Sequence, residues 1–573
     1  MNDNREFEID LKRHQYFSDL RKEIISLPQE RALDKILEFK HPPALVHSFP
    51  DEDLFFLIHD IGIEDAIPII ALASTKQLVY LLDVEIWEKD MINMSVLTKW
   101  FDAFLQADPK RFTKWFIEEK LELMEYYMFK NLEVKIREHD QDPSDFDDDF
   151  FTLDDIFYVR FSNYQFDPEP NEDIKEIKEN FLTELIRRIA DFDHVKYQKI
   201  LMEAASVLPS EFEEEEFRMR NVRLSEKGFV PYYEAISIYA PLYDLGDQGI
   251  KKYSVQFDKR EIFPVPLYSL MFFYEENLFN SSLKQIELDD IRDKIYIEFA
   301  GLCNTIISAD QKLIREKEEL KEVVKKALGY LNIGLQLLSL DQTNHNLNYT
   351  ASIIRRYPLS EIFRIGYSSA QKLKEKTIKW LNTSWFRSLN LPLMFWGETG
   401  LGVLGGLLLK RPLYYDNYKS GVIYREFASM EDISITDDVL EDFISLDEIM
   451  ALFNITSIPK YEFITYKNII LTLWARNFLK LSDEILAMNI NDLKIFLENL
   501  FVNSDDKRVI PSSMKESFLE WIAKKTGVDS YAISIQFHDI FTSLFKELED
   551  EYGDVRLKNL DPKFIYLFLV QED

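Results

Sequence analysis

Three glycines, Gly400, Gly402 and Gly405, form the clearest pattern in this sequence that could serve chemistry. Their spacing is G-x-G-x-x-G, in which a turn between a strand and a helix holds the pyrophosphate of a dinucleotide. The run from Leu391 to Phe395 could be the strand, and Glu426 could bind the ribose. No alternating strands and helices surround the motif, however. In a helix-rich chain, small residues more often let helices pack closely, so the pattern favours packing over a nucleotide site.

Asp145, Asp147 and Asp149 occupy the first, third and fifth places of a calcium-binding loop. Such a loop needs glycine in sixth place for its turn and a bidentate glutamate in twelfth place. Phe150 and Ile156 stand there instead. The sequence therefore predicts a solvated acidic loop and no calcium site.

His41, His47 and His59 are separated by six and twelve residues, so no two of them share a helix face as zinc ligands would. The single cysteine, Cys303, lies in an apolar segment without a basic neighbour that would lower its pKa. We interpret it as a packing residue, and one cysteine permits no internal disulfide. From the sequence we assign no catalytic, cofactor-binding or metal-ligating residue, and we expect no cofactor.

The elements that would position such residues are mostly helices. From Ser48 to Phe116 the apolar residues recur at helical spacing in short segments. Gly62 is expected to end one helix, Ser74 and Gln77 form a capping-box pattern, and Asp108 before a proline is expected to open another helix. Helices this short are unstable alone but can bury one continuous core when stacked, which is the principle of an α-solenoid.

The composition supports a mainly α fold, since glycine accounts for only 16 of 573 residues. We predict an α-solenoid-like N-terminal block followed by helical bundles, with one minor β-hairpin formed by residues 151–153 and 156–161. The predicted domains are 1–139, 140–345 (with the acidic loop and the hairpin) and 346–573. The boundaries rest on the eight aspartates between residues 140 and 155 and on a polar loop at 341–348.

Five local expectations accompany this fold. An extended joint is expected at residues 41–43, a helix at 121–137, a polar loop at 503–507 and a last apolar helix from Asp561. The charged stretch from Glu211 to Arg223 predicts two exposed helical ion pairs, Glu214–Arg218 and Glu216–Arg220.

The chain carries 68 basic and 101 acidic residues, a net charge of −33. Such a surface repels nucleic acid, so we expect no nucleic-acid partner. The most apolar stretch, Leu391 to Leu409, has five glycines and one proline and lacks the flanks of a membrane span. We expect a buried helix there and no membrane insertion. Residues 1–12 lack a signal-peptide core, so we expect a cytoplasmic protein.

Two resemblances add to this interpretation. The segment Arg223 to Pro231 (RLSEKGFVP), with residues 332–335, 359–367 and 406–412, resembles an uncharacterised bacterial family with a domain of unknown function. That resemblance covers nearly the whole chain and implies no activity, cofactor or catalytic residue. The N-terminal quarter is similar to the superhelical N-terminal domain of bacterial magnesium transporters, which implies a shape only.

The sequence favours a non-catalytic cytoplasmic helical scaffold with a protein partner, its identity and oligomeric state open. One alternative is an enzyme with a dispersed acidic and aromatic site near residues 391–409. Another is a regulatory protein that senses divalent cations.

Overall fold

The fold is mainly α with small antiparallel β-hairpins, as the sequence predicts. The computed structural model describes residues 2–162, 172–204, 208–245, 265–273, 277–340, 346–458, 464–504, 507–557 and 560–571. Its contacts form two compact units. The N-terminal unit holds residues 1–240, 244–331 and 338–363, and the C-terminal unit holds 241–243, 332–337 and 364–573. The predicted division into three domains stays a prediction.

Most of the helices in the described N-terminal unit are short. Its first nine helices are α1 (Asn2–Ser26), α2 (Gln29–Leu37), α3 (Pro42–Ser48), α4 (Asp51–Ile61), α5 (Ile67–Leu72), α6 (Thr75–Glu85), α7 (Met94–Ala107), α8 (Pro109–Glu119) and α9 (Leu121–Asn131). The next eight are α10 (Glu172–Phe192), α11 (His194–Ala204), α12 (Pro209–Ser225), α13 (Tyr232–Ala235), α14 (Leu278–Leu283), α15 (Asp289–Asp310), α16 (Lys317–Leu338, of which residues 332–337 belong to the C-terminal unit) and α17 (Leu347–Arg356).

The sequence predicts a row of short helices from Ser48 to Phe116, here called the short-helix row. The helix ends that it predicts there are confirmed. Gly62 follows α4 with a φ of +98°, which a residue with a side chain rarely adopts. Ser74 caps α6, and the side chains of Ser74 and Gln77 each bond the other's backbone N–H, at 3.3 and 2.9 Å. The Asp108 carboxylate accepts the Arg111 N–H at 3.0 Å and opens α8. The sequence thus sets these helix ends locally.

Two predictions in this unit are wrong. The extended joint expected at residues 41–43 is limited to His41, because α3 begins at Pro42. Proline is tolerated there, since the first residue of a helix has no intrahelical acceptor for a backbone N–H. The helix predicted over 121–137 ends at Asn131, and the next five residues form strand β3 (Leu132–Ile136). Strand pairing outweighs the helical pattern here, since the backbone of β3 pairs with a strand more than twenty residues later.

The partner of β3 belongs to the predicted hairpin, which is confirmed. Strands β4 (Phe151–Thr152) and β5 (Phe157–Phe161) pair antiparallel, and the sheet order is β3-β5-β4. Val134 lies opposite Val159, which also faces Phe151. A separate two-residue pair in this unit joins β1 (Trp87–Glu88) and β2 (Met91–Ile92).

The described C-terminal unit is also mainly helical. Its described elements are α18 (Leu359–Thr383, whose first residues belong to the N-terminal unit), α19 (Trp385–Ser388), α20 (Gly397–Leu408), α21 (Met430–Leu452), α22 (Tyr466–Phe478), α23 (Ile490–Leu500), α24 (Ser512–Thr526), α25 (Ser530–Gln536) and α26 (His538–Tyr552), with strands β6 (Tyr414–Tyr415), β7 (Tyr424–Arg425), β8 (Val502–Ser504) and β9 (Lys507–Val509). The hairpins β6-β7 and β8-β9 are antiparallel.

Three loop and helix predictions have different outcomes. The polar stretch at 503–507 belongs to the β8-β9 hairpin, with residues 505–506 outside the described part. The loop predicted at 341–348 also lies partly outside it, and α17 begins at Leu347. The last helix predicted from Asp561 is wrong. Only a 3-10 turn forms, Pro562–Phe564, after which the extended chain bonds Met488, whose N–H donates to Leu569 O at 2.8 Å.

Candidate functional site

The glycine motif lies inside a helix and not in a turn after a strand. Residues 393–396 form a 3-10 helix, and α20 contains all three motif glycines. A Cβ at Gly402 would overlap the Tyr415 ring, and one at Gly400 would overlap Trp396. The glycines therefore allow close packing, as the sequence favoured, and the stretch 391–409 is a half-buried helix with its preceding loop.

The acidic loop is partly neutralised by one arginine. Arg160 on β5 contacts Asp147 at 3.5 Å, Asp149 at 3.2 Å and Glu133 on β3. One guanidinium group thus pairs with all three carboxylates. Asp145 does not form a metal-ligand cluster with these carboxylates, since no group of three potential metal ligands is found within the described residues.

The histidines and the cysteine are also dispersed. His41 and His47 are exposed at the two ends of α3, whereas His59 lies on α4 with its Nε2 at 3.0 Å from Glu85. Cys303 is buried in α15, and burial raises the pKa of its thiol. These positions fit structural roles.

Buried carboxylates of the N-terminal unit are held by partners. Burial would raise the pKa of Glu85, but hydrogen bonds from His59 and Arg315 outweigh it and lower that pKa. The other pairs are Asp51 and Glu52 with Lys227 (3.1 and 3.2 Å), Asp60 with Lys317, and Asp83 with Arg223 (2.7 Å). Such groups hold helices together and leave little free charge for a ligand.

The C-terminal unit, in contrast, contains an open cleft of about 780 Å³, which is in the usual size range of ligand sites. The loop before α20 and the starts of α20 and α22 form part of its wall, together with α21, α26 and the final segment. The lining residues include Met394, Trp396–Thr399, Val439, Asp442, Phe443, Leu446, Thr465–Asn468, Asp539, Ile540, Ser543, Leu544, Glu547, Pro562 and Ile565–Val570.

Local capping fixes two sides of this cleft. Thr465 caps α22, and its N–H donates to Asn468 Oδ1 at 2.8 Å. The Asn468 Nδ2 group donates to the carbonyl of Tyr566, and Leu569 N–H donates to Thr472 Oγ1 at 2.9 Å. The final segment is therefore fastened to α22 by side chains that also shape the start of this helix.

Aromatic rings form the inner wall. The ring of Trp396 lies 5.7 Å from that of Phe443 and 6.0 Å from that of Tyr466, centroid to centroid. The Trp396 side chain is only 1% exposed, and its Nε1–H has no acceptor among the described residues. Burial, with Glu547 and Asp442 nearby, raises the pKa of Tyr466, so its hydroxyl stays neutral.

Carboxylates dominate the charged lining. Lys467 is paired with Glu547, with 2.5 Å between Nζ and Oε2. Glu398, Asp442 and Asp539 make no hydrogen bond or ion pair within the described residues. Burial and the nearby carboxylates of Asp539 and Asp438 raise the pKa of Asp442. The cleft therefore offers negative charge beside aromatic surface, with its lysine already neutralised.

Sequence reasoning found only part of this cleft. The alternative site near residues 391–409 includes the lining residues Met394 and Trp396 to Thr399, but not Asp442, Lys467 or Asp539. These come from three helices spread over about a hundred residues, and no motif spacing connects them. The notable local signal was the capping pattern of Thr465 and Asn468.

The comparisons with known proteins identify one family. The model of DUF6178, a family of unknown function, matches residues 10–571. The chain belongs to this family, which is consistent with the near full-length resemblance. No curated protein and no solved structure matches the chain. The similarity of the N-terminal quarter to a magnesium-transporter domain stays a prediction. Among the described helices, none has both the length and the apolarity of a membrane span.

Proposed function

We propose that this protein is a non-catalytic helical scaffold of the cytoplasm, and that the cleft of the C-terminal unit is a contact site for a protein partner. The observation that supports this most is the open 780 Å³ cleft whose carboxylates Glu398, Asp442 and Asp539 have no cationic partner among the described residues. Such groups favour association with a complementary surface, because opposite charges attract over distances of several ångströms.

The test is site-specific photo-crosslinking in the cells that naturally produce the protein. A photoreactive amino acid replaces Ser543, which is exposed and lines the cleft, or the neighbouring exposed Thr542, which does not line it. Both residues lie on α26, so the two positions differ mainly in the direction in which their side chains leave the helix. We expect protein adducts from position 543 and few from 542. Equal adducts from both positions, or none from 543, would contradict the proposal.

One observation favours a second candidate, an enzyme of the acid–base type. The raised pKa of Asp442 beside Asp539 is an arrangement in which one carboxyl can hold a proton while the other stays ionised. The corresponding test measures hydrolysis of chromogenic glycosides and esters by the wild type, Asp442→Asn and Asp539→Asn. Hydrolysis by the wild type that both variants lose would support this candidate. No hydrolysis above that of the two variants would exclude these reactions.

A further inference from the structure

We propose that the cleft of the C-terminal unit binds a polypeptide segment that carries lysine or arginine, with the cationic side chain placed among Glu398, Asp442 and Asp539. This inference rests on the proposed function and names the chemistry of the partner. It concerns only residues of the C-terminal unit.

The charge of the cleft favours a cationic ligand. The cleft has four lining carboxylates against one described lysine, and that lysine is paired with Glu547. Asp442 is half-buried and lies near the like charges of Asp438 and Asp539. A ligand cation relieves this repulsion, because the ionised form of a carboxylate is favoured by an opposite charge within a few ångströms. Charge-assisted hydrogen bonds to a lysine or arginine are stronger than neutral ones.

The aromatic surface beside these acids also suits a cationic side chain. Phe443, Tyr466 and Tyr566 line the cleft, and the Tyr566 side chain is 53% exposed. An ammonium or guanidinium group is attracted to an aromatic face, and its methylene stem packs against the same ring. A metal ion would gain less from such a wall, since magnesium and calcium prefer oxygen ligands alone.

The size and the polar lining of the cleft favour a polypeptide over a free amine. A cleft of about 780 Å³ holds much more than one ammonium group with its stem. The wall also contains an indole N–H, on Trp396, without an acceptor among the described residues. A peptide supplies carbonyl acceptors, and a polyamine supplies none. The mixed lining of donors, acids and rings thus matches a peptide better than it matches a simple polycation.

The experiment measures binding of fluorescein-labelled heptapeptides to the full chain by fluorescence anisotropy. One peptide contains three lysines separated by alanine and leucine, and a second has glutamine in place of each lysine. The double variant Asp442→Asn/Asp539→Asn lowers the charge of the cleft. The double variant Glu448→Gln/Glu484→Gln makes the same charge change at exposed positions outside the cleft lining.

We expect the lysine peptide to bind the wild type, the glutamine peptide to bind at least tenfold more weakly, and the cleft variant to lose at least tenfold in affinity. The control variant should change affinity less than twofold. Glu398→Gln, at an exposed position, provides a second cleft variant if the first one fails to fold. Circular dichroism and thermal midpoints check folding in each case.

Three results would overturn the inference. Equal losses in the cleft and control variants would show general attraction to an acidic surface. Stronger binding of spermidine than of the lysine peptide, measured by competition, would identify a small-amine site. No binding of the lysine peptide, combined with crosslinked adducts at position 543, would refute a cationic partner and leave the proposed function intact. Absence of those adducts is the separate result that refutes the proposed function.

Discussion

Arg223 and Asp83 are joined by two hydrogen bonds of 2.7 Å, although 140 residues separate them in the chain. The Asp83 side chain is 6% exposed and that of Arg223 is 30% exposed. Burial raises the pKa of Asp83 although Arg223 and Arg220 act to lower it. The neighbouring Arg220 donates to the backbone carbonyl of Asp83 at 2.6 Å. Helix α12 is thus attached to α6 through its arginines.

This relationship corrects the two ion pairs predicted on an exposed face of α12. Arg218 pairs with Glu215 and not with Glu214, at the i,i+3 spacing. Glu216 pairs with Arg223 at 2.8 Å and with Lys120 at 3.3 Å. The Glu216–Arg220 prediction was wrong because Arg220 bonds the backbone carbonyl of Asp83 on α6, while Arg218 stays on the exposed face and pairs one position away.

Arg223→Met should lower the free energy of unfolding by about 2 kcal/mol, since it leaves the Asp83 carboxylate buried without its main partner. The matched control is Arg218→Met on the same helix. Its partner Glu215 is exposed, so the loss should stay below about 0.5 kcal/mol. Urea unfolding of both variants measures the difference. Equal losses would show that the Arg223–Asp83 pair contributes no more than a surface pair.

Gly228→Ala should destabilise the protein by about 1–3 kcal/mol, because a Cβ there would lie 2.7 Å from Cα and O of Gly301. The φ of +85° at Gly228 adds strain for any side chain. Gly301→Ala is the control, since its Cβ would meet nothing within 4 Å in α15. That change should be neutral or stabilising by up to about 1 kcal/mol. Chemical denaturation measures the stability of both variants. A destabilising Gly301→Ala would contradict the geometry in which a Cβ has space at Gly301 but not at Gly228.

Asp53 should make the stability of this protein fall as the pH rises from about 4 to 7. Burial raises the pKa of Asp53 from 3.8 to about 7, even though the N–H groups of Leu267 and Tyr268 donate to its carboxylate. In this pH window the folded chain holds a proton that the unfolded chain has released. The free energy of unfolding therefore decreases with pH, by at most about 1.4 kcal/mol per unit for this one group.

The measurement is urea unfolding of the wild type and Asp53→Asn between pH 4.5 and 8. All other titrating groups are shared, so the difference between the two stability curves isolates this carboxyl. The wild type should lose stability relative to the variant from pH 4.5 to about 7, and the difference should level off at higher pH. A constant difference across the range would show that Asp53 has the same pKa in both states.

The short-helix row should depend on its buried apolar residues and tolerate changes at its exposed charges. Leu57, Ile70, Leu81 and Phe101 are buried, and alanine at any one of them should cost about 2–5 kcal/mol through lost apolar burial and a cavity. Lys76→Glu and Glu88→Lys, at exposed positions, should leave thermal stability nearly unchanged.

The same two charge reversals test whether this row contacts a partner. Lost recovery of co-purifying proteins at unchanged stability would support a contact role. Unchanged recovery in both variants would remove Lys76 and Glu88 from the contact surface. Unchanged recovery throughout a wider scan of exposed positions would refute a contact role for the row.

Much of the fold was predictable because its signals are local. Helix ends such as Gly62, the Ser74–Gln77 box and Asp108 depend on residues within one turn, and apolar spacing indicates the buried face of each helix. The scarcity of glycine indicated a mainly α chain before any contact was known.

Tertiary structure decided what distant residues do to one another. Strand β3 exists because β5 pairs with it across more than twenty residues, and the extended segment near Val570 forms because Met488 offers its backbone. The cleft depends in the same way on Glu398, Asp442 and Asp539, which three separate helices bring to one wall. A sequence pattern records periodicity along the chain, whereas a binding site depends on the directions in which side chains from distant residues point. Only packing determines those directions.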